Sequence, residues 1–305
     1  MELRQLRHVV AVADTLHFGK AAERLNMTQP PLSQSIMAIE DELGVRLFER
    51  TKRRVVLTEI GSQWVSHARK VVDSVAELPG IARRLSIGEM GRLRLSFVST
   101  TGYSIFPALI SGYRKAFPAV DLELTEATSD VQVEALVERR IDVGIVIASS
   151  RAAMPPGVSY RPLLSEPLIA AVPQTWLDDG GLEHDAPPTI LVQPLIIFPR
   201  RSAPGLHDAV LDIYRREGMA PNIIQEAIQM QTIIGLVASG MGMSIVPQSM
   251  ENLQRPGVRY IPMRSHVPRI ETGLIWRETD DNPALVNFLL HAAVVEGLRT
   301  KDRIG

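Results

Sequence analysis

The spacing of apolar residues changes twice along this 305-residue chain, and each change restricts what the next stretch can become. From Met1 to about Leu57 apolar residues recur every three or four positions in short runs: Val9, Ala13 and Leu16, then Phe18, Ala21, Ala22 and Leu25, then Leu32, Ile36, Ile39 and Leu43. That period predicts three short helices. Asn26, Met27 and Thr28 separate the second from the third, with Thr28 as N-cap, its hydroxyl accepting from a first-turn amide, Pro30 and Pro31 in the first turn, and Gly44 as left-handed terminator. Arg50 to Leu57 reads as a hairpin with a basic tip.

From Thr58 to Ile87 the pattern lengthens. Trp64, Ala68, Val71, Val75, Leu78, Ala82 and Leu85 step by alternating fours and threes, a narrow seam for a partner helix and hence a dimer contact. Pro79-Gly80 inside this run predicts a kink or break, since proline costs a helix interior about 3 kcal/mol. Beyond Gly88 strands and helices alternate, the signature of a parallel α/β sheet. Expected strands are 92–98, 121–126, 142–147, 167–172, 195–198, 223–226, 243–246 and 271–276. Expected helices are 105–117, 131–138, 206–217, 231–238 and 283–299, the last returning to complete the first of two α/β units.

Composition excludes several classes. The chain has no cysteine, so disulfides, thiolate zinc sites, iron–sulfur clusters and cysteine nucleophiles are ruled out together. Its seven histidines show no spacing that pairs two on one helical face, and no metal site or cofactor is expected. No Gly-x-Ser-x-Gly elbow, phosphate loop or dinucleotide fingerprint is found, so the expectation is a non-enzyme. Charged residues interrupt the first twenty positions, and no apolar run approaches the roughly 18 residues of a membrane span; a cytoplasmic protein without membrane contact is expected. Net charge is −1, yet Arg46, Arg50, Lys52, Arg53 and Arg54 cluster within nine positions. Such a run is either a solvated face or a nucleic-acid contact.

Small Ala21 and Ala22, a three-residue turn, and a third helix carrying Gln29, Ser33 and Gln34 outward describe a helix-turn-helix, whose amides and hydroxyls can donate and accept at base edges. Periodicity alone fits equally well any three-helix subdomain with a solvated face. The motifs Met-Glu-Leu-Arg-Gln-Leu-Arg-His (1 to 8), Phe18-Gly-Lys-Ala-Ala-Glu-Arg-Leu25, Thr28-Gln-Pro-Pro-Leu-Ser33, Ile39-Glu-Asp-Glu-Leu-Gly44, Leu47-Phe-Glu-Arg50 and Leu57-Thr-Glu-Ile-Gly61 go further. In this order they resemble the LysR-type transcriptional regulators, and the likeness extends over essentially the whole chain.

The resemblance implies an α/β protein with an N-terminal all-α winged helix-turn-helix domain (1–58), a dimerisation helix (59–87) and a periplasmic-binding-protein-like effector domain (88–305). Subdomain I of the latter would comprise 88–162 and 268–305, and subdomain II 163–267. Thr28, Gln29, Pro30 and Ser33 would contact DNA, with Gln34 standing where many relatives carry a basic residue. Arg50, Arg53 and Arg54 of the wing would meet phosphates or a minor groove. Implied partners are double-stranded promoter DNA, RNA polymerase, a small acid effector, and further copies of the chain as a homodimer or homotetramer.

In the effector domain Ser99, Thr100 and Thr101 follow one strand and Thr128 another, which reads either as an anion seat of hydroxyls and helix-start amides or merely as helix caps. Phe198, Pro199 and Arg200 follow a third; arginine there would clamp a carboxylate while Phe198 covers an unsaturated skeleton. Together with Gln231-Thr-Ile-Ile-Gly-Leu-Val-Ala238 and Gly240-Met-Gly-Met-Ser-Ile-Val-Pro247, this region is most similar to the regulators of benzoate, catechol and chlorocatechol degradation. The effector implied is a small organic acid, aromatic or muconate-like.

Overall fold

The computed structural model describes residues 1–50, 54–148, 154–178, 187–263 and 267–302, with the side chains of 187–188 and 296–302 left aside. By contact density the chain divides into two units, Met1–Arg83 and Arg84–Gly305.

In the first unit α1 (Leu3–Thr15), α2 (Phe18–Arg24) and α3 (Gln29–Leu43) form around Leu6, Val9, Val12, Ala21, Leu32, Ile36 and Ile39, all buried. Ala21 and Ala22 are buried where helices meet, as close approach requires. Thr28 occupies the N-cap position of α3, but its side chain makes no capping bond; the two prolines that follow fit the first turn without needing donors. Gly44 closes α3 at φ +69°, the left-handed conformation that glycine adopts without steric penalty. β1 (Phe48–Arg50) and β2 (Val55–Leu57) pair antiparallel as the wing.

Next comes α4 (Glu59–Ser86), a single continuous helix. The break expected at Pro79 is absent. Proline removes one backbone donor there, and the strong helix formers Ala76, Glu77 and Leu78 before it and Ala82, Arg83, Arg84 and Leu85 after it carry the helix across. The seam divides: Ala68 is buried in the core of the first unit, whereas Val71, Leu78 and Leu85 stand exposed.

The second unit contains two lobes. In the first, β4 (Ala119–Glu126), β3 (Met90–Phe97) and β5 (Val143–Ala148) are parallel, with α5 (Phe106–Ala116) and α6 (Ser129–Val137) as crossovers. Two strands then cross between lobes. β6 (Val158–Pro173) leaves and β11 (Arg269–Arg277) returns beside it. Neighbouring strands that carry a chain out and back run in opposite directions, so the sheet is mixed rather than parallel. The far half of β6 pairs with β9 (Ser244–Pro247) and β10 (Val258–Pro262). Two short helices, α7 (Thr175–Asp178) and α8 (Pro187–Leu191), precede the parallel pair β7 (Leu195–Ile197) and β8 (Ile223–Glu226). The connecting helices are α9 (Pro204–Arg216) and α10 (Met230–Ala238), after which Gly240 turns the chain at φ +81°. α11 (Pro283–Asp302) closes the first lobe.

Each lobe has its own core. Leu93, Leu95, Leu109, Tyr113, Leu274 and Phe288 fill the first; Leu168, Ile196, Leu206, Tyr214, Met230 and Ile233 fill the second. β6, with Ile169 to Val172 buried on both faces, belongs to the sheets of both.

Candidate functional site

The exposed face of the first unit begins where α3 begins. Thr28, Gln29, Pro30, Pro31 and Gln34 are exposed, and Ser33 is half-buried. Four of the five expected α3 positions therefore present their side chains to solvent at the start of one helix, where unpaired amides favour an anion such as phosphate.

Behind that face lies a tie that sequence reasoning missed. Glu40 is only 3% exposed, yet both carboxylate oxygens are satisfied. Oε1 accepts from the backbone amides of Leu47 (2.8 Å) and Phe48 (3.0 Å), and Oε2 accepts from Nη2 of Arg50 (3.0 Å). Arg50 also donates to Ser33 Oγ at 3.3 Å and lies over the Phe18 ring, 4.8 Å from its centroid. The guanidinium expected to reach phosphate is thus engaged inward, joining the wing to α2 and α3 because a buried carboxylate needs a compensating charge. Arg54 is exposed; Arg53 lies outside the described residues. Glu40 carried one legible signal: it falls four residues after Ile36, on the apolar stripe of α3.

In the second unit a cavity opens at the carboxyl ends of β3, β4, β5, β7 and β8, with an empty volume of about 380 Å³ including its mouth. Ser99, Thr100, Thr128 and Phe198 line it, as expected from the sequence. Lining residues not foreseen include Val98, Glu126, Ser129, Ile147, Ser202, Leu206, Ile228 and Gln229. Glu126 and Ile147 lie within the last two positions of β4 and β5, and Ser129, Ile228 and Gln229 stand within three residues of a strand's end, near the position where open α/β sheets bind ligands, so strand ends were the signal available.

Thr100 is 4% exposed, and its hydroxyl has no hydrogen-bond partner among the described residues, so a molecule bound there that supplies one would offset a desolvation cost of about 1–3 kcal/mol. Thr128 is the N-cap of α6 without a side-chain cap bond, leaving its hydroxyl available. Ser129 Oγ, by contrast, accepts from the Ile147 amide at 3.2 Å and fixes α6 to β5.

Three expected residues do not line the cavity. Thr101 is buried and donates to Val98 O at 2.7 Å. Pro199 is buried in the turn that receives the Ser202 amide at 3.1 Å. Arg200 is exposed and doubly bonded to Asp208 on α9, at 2.9 and 3.0 Å. That hydrogen bonding holds the Asp208 carboxyl down at about 2. A nearby carboxylate thus captures the arginine first, and the expected clamp is corrected accordingly. The 3₁₀ turn Ser99–Tyr103 is also too short to offer a helix-start anion seat; α6 and α10 supply the helix starts here.

Sequence models of two domains match this chain: the bacterial regulatory helix-turn-helix proteins of the LysR family over residues 3–62, and the LysR substrate binding domain over 86–294. The chain belongs to the LysR family of transcriptional regulators. The regulator IlvR of Caulobacter vibrioides is 49% identical over 289 residues, 95% of this chain and 96% of IlvR. BenM of Acinetobacter baylyi is 33% identical, covering 86% of each chain. Among solved structures, full-length CbnR complexed with its target DNA superposes with a TM-score of 0.77 at 26% identity, covering 97% of this chain and all of that one. This LysR-type regulator therefore carries the family's helix-turn-helix domain followed by its α/β substrate-binding domain. Among the described residues no helix is long and apolar enough to cross a membrane, and no group of three or more His, Asp and Glu is arranged for a metal.

Proposed function

We propose that this LysR-type regulator reads promoter DNA with the start of α3 and answers to a small organic acid held in the cavity between its lobes. Thr28, Gln29, Pro30, Ser33 and Gln34 face the major groove, and Arg54 and Arg53 of the wing meet the backbone. Arg50 acts behind them by fixing the wing through Glu40. CbnR, solved with its target DNA, supports the reading of α3. The observation that carries the effector reading is the buried hydroxyl of Thr100, without a partner among the described residues, in a cavity lined by apolar side chains, by the hydroxyl residues Ser99, Thr128, Ser129 and Ser202, by Glu126, and by two helix starts. The resemblance of residues 198–200, 231–238 and 240–247 to the regulators of benzoate, catechol and chlorocatechol degradation supports an acid as the effector class.

Two copies pair along the exposed part of the α4 seam, and pairs of dimers form a tetramer in the cytoplasm, recruiting RNA polymerase at the promoter. The acid acts through its difference in affinity between two arrangements of the lobes. A gel shift at fixed salt tests the reading, using the DNA upstream of the protein's own gene with and without added acids. Retarded DNA whose footprint changes with an acid is the expected result; absence of binding to any upstream fragment rejects it.

A further inference from the structure

Charge inside the effector cavity is distributed in a way that selects among acids. Two helices of nine residues each, α6 and α10, begin at its wall, and both cap residues, Thr128 and Gln229, line it. Neither side chain caps its helix. The first amides to bond back along these helices are those of Gln132, to Thr128 O, and Ile233, to Gln229 O. Preceding first-turn amides, together with the positive ends of both helix dipoles, are therefore directed at the same space. The unpartnered Thr100 hydroxyl, in a residue 96% buried, is an independent donor lining the same wall. A carboxylate can be seated there without an arginine.

Glu126 stands at the last position of β4, two residues before Thr128, and lines the same cavity. It is the one ionisable side chain among the described lining residues, and it makes no ion pair among the described residues. A second carboxylate on the ligand would meet this like charge, whereas an ammonium group would complement it. Val98, Ile147, Phe198, Leu206 and Ile228 supply the apolar part of the same wall, against which an aliphatic or aromatic side chain would pack.

We infer that the effector is a small zwitterion, an apolar α-amino acid, with its carboxylate at the starts of α6 and α10 and its ammonium facing Glu126. The inference rests on the cavity being the effector site. Calorimetry on the full-length protein tests it with matched pairs: L-valine, L-leucine and L-phenylalanine, each against its deaminated acid (3-methylbutanoate, 4-methylpentanoate, 3-phenylpropanoate), plus cis,cis-muconate. In at least one pair the amino acid binds tenfold or more tightly than its partner; Glu126→Gln, on an exposed position, removes that advantage while the plain acid keeps its affinity. Thr100→Val weakens both members of the pair alike. Equal or better binding by every plain acid, tighter binding of cis,cis-muconate, or an advantage that survives Glu126→Gln overturns the zwitterion and leaves the acid site standing. No heat from any carboxylate overturns both.

Discussion

Glu40 in the N-terminal unit and Thr100 in the C-terminal unit are both polar and almost fully buried, but their surroundings differ. Glu40 meets two backbone amides and a guanidinium, and nothing on it is left to satisfy. Thr100 lines a cavity and meets no partner among the described residues. A surface that must match the fixed spacing of a duplex gains from internal polarity that is complete, because its exposed side chains are then held in one geometry. On the effector reading proposed above, a receptor would gain from polarity that is incomplete, since the missing partner would be the ligand.

Breaking the completed side gives the largest effect. Glu40→Ala leaves two buried amides and Arg50 uncompensated and should destabilise the N-terminal unit by about 3–5 kcal/mol, read as faster hydrogen exchange throughout α1 to α3. Unchanged exchange would show the tie to be incidental. Val71→Glu with Val75→Glu, on the seam beyond the core, should dissociate dimers at micromolar concentration without altering either unit's fold, as sedimentation velocity would register. Gln29→Ala touches only the outward face; it should weaken operator binding by about 1–3 kcal/mol in anisotropy titrations, with an unchanged melting temperature.

On the incomplete side the sign reverses. Thr100→Val removes a buried hydroxyl that lacks a partner and should stabilise the ligand-free C-terminal unit by about 1 kcal/mol, a rise in its melting transition, while lowering effector affinity. Arg200→Ala should do least, changing effector affinity less than about twofold because its guanidinium is engaged with Asp208 outside the cavity. Asp208 is held below its ordinary value in the folded chain, so whatever the pair contributes is present at neutral pH and lost as pH falls from about 4 toward about 2. In Arg200→Ala an NMR titration should find that carboxyl back near the usual range.

How much of this was legible in sequence followed the range of the interactions involved. Helices α1 to α3, the wing and the length of α4 are local patterns, and the apolar period located them to within a few residues. Gly44 was readable because a left-handed turn is a property of one residue. The antiparallel course of β6 and β11 was not readable, since it follows from a return path of about a hundred residues. The same applies to Arg200: its sequence position after β7 pointed to the cavity, but Asp208, one helical turn into α9, decides where the guanidinium goes. Pro79 erred the other way, a local rule outweighed by its helical neighbours. The cavity itself was half visible. Ser99, Thr128 and Phe198 stand at strand ends that alternation reveals, whereas Glu126 looks like any surface carboxylate until strand order brings it beside Phe97.

The paired crossing strands bear on how a bound molecule could be felt elsewhere. Residues 158–167 of β6 and 269–277 of β11 form a ribbon whose rungs are set from Val158↔Arg277 to Pro167↔Arg269. Sliding one strand along the other would have to undo every rung at once, while twisting about the ribbon's long axis undoes none. Residues 271–276 of β11 pair on their other side with β5, so most of this ladder is anchored in the sheet of the first lobe and fixes where β6 departs for the second lobe and where β11 comes back.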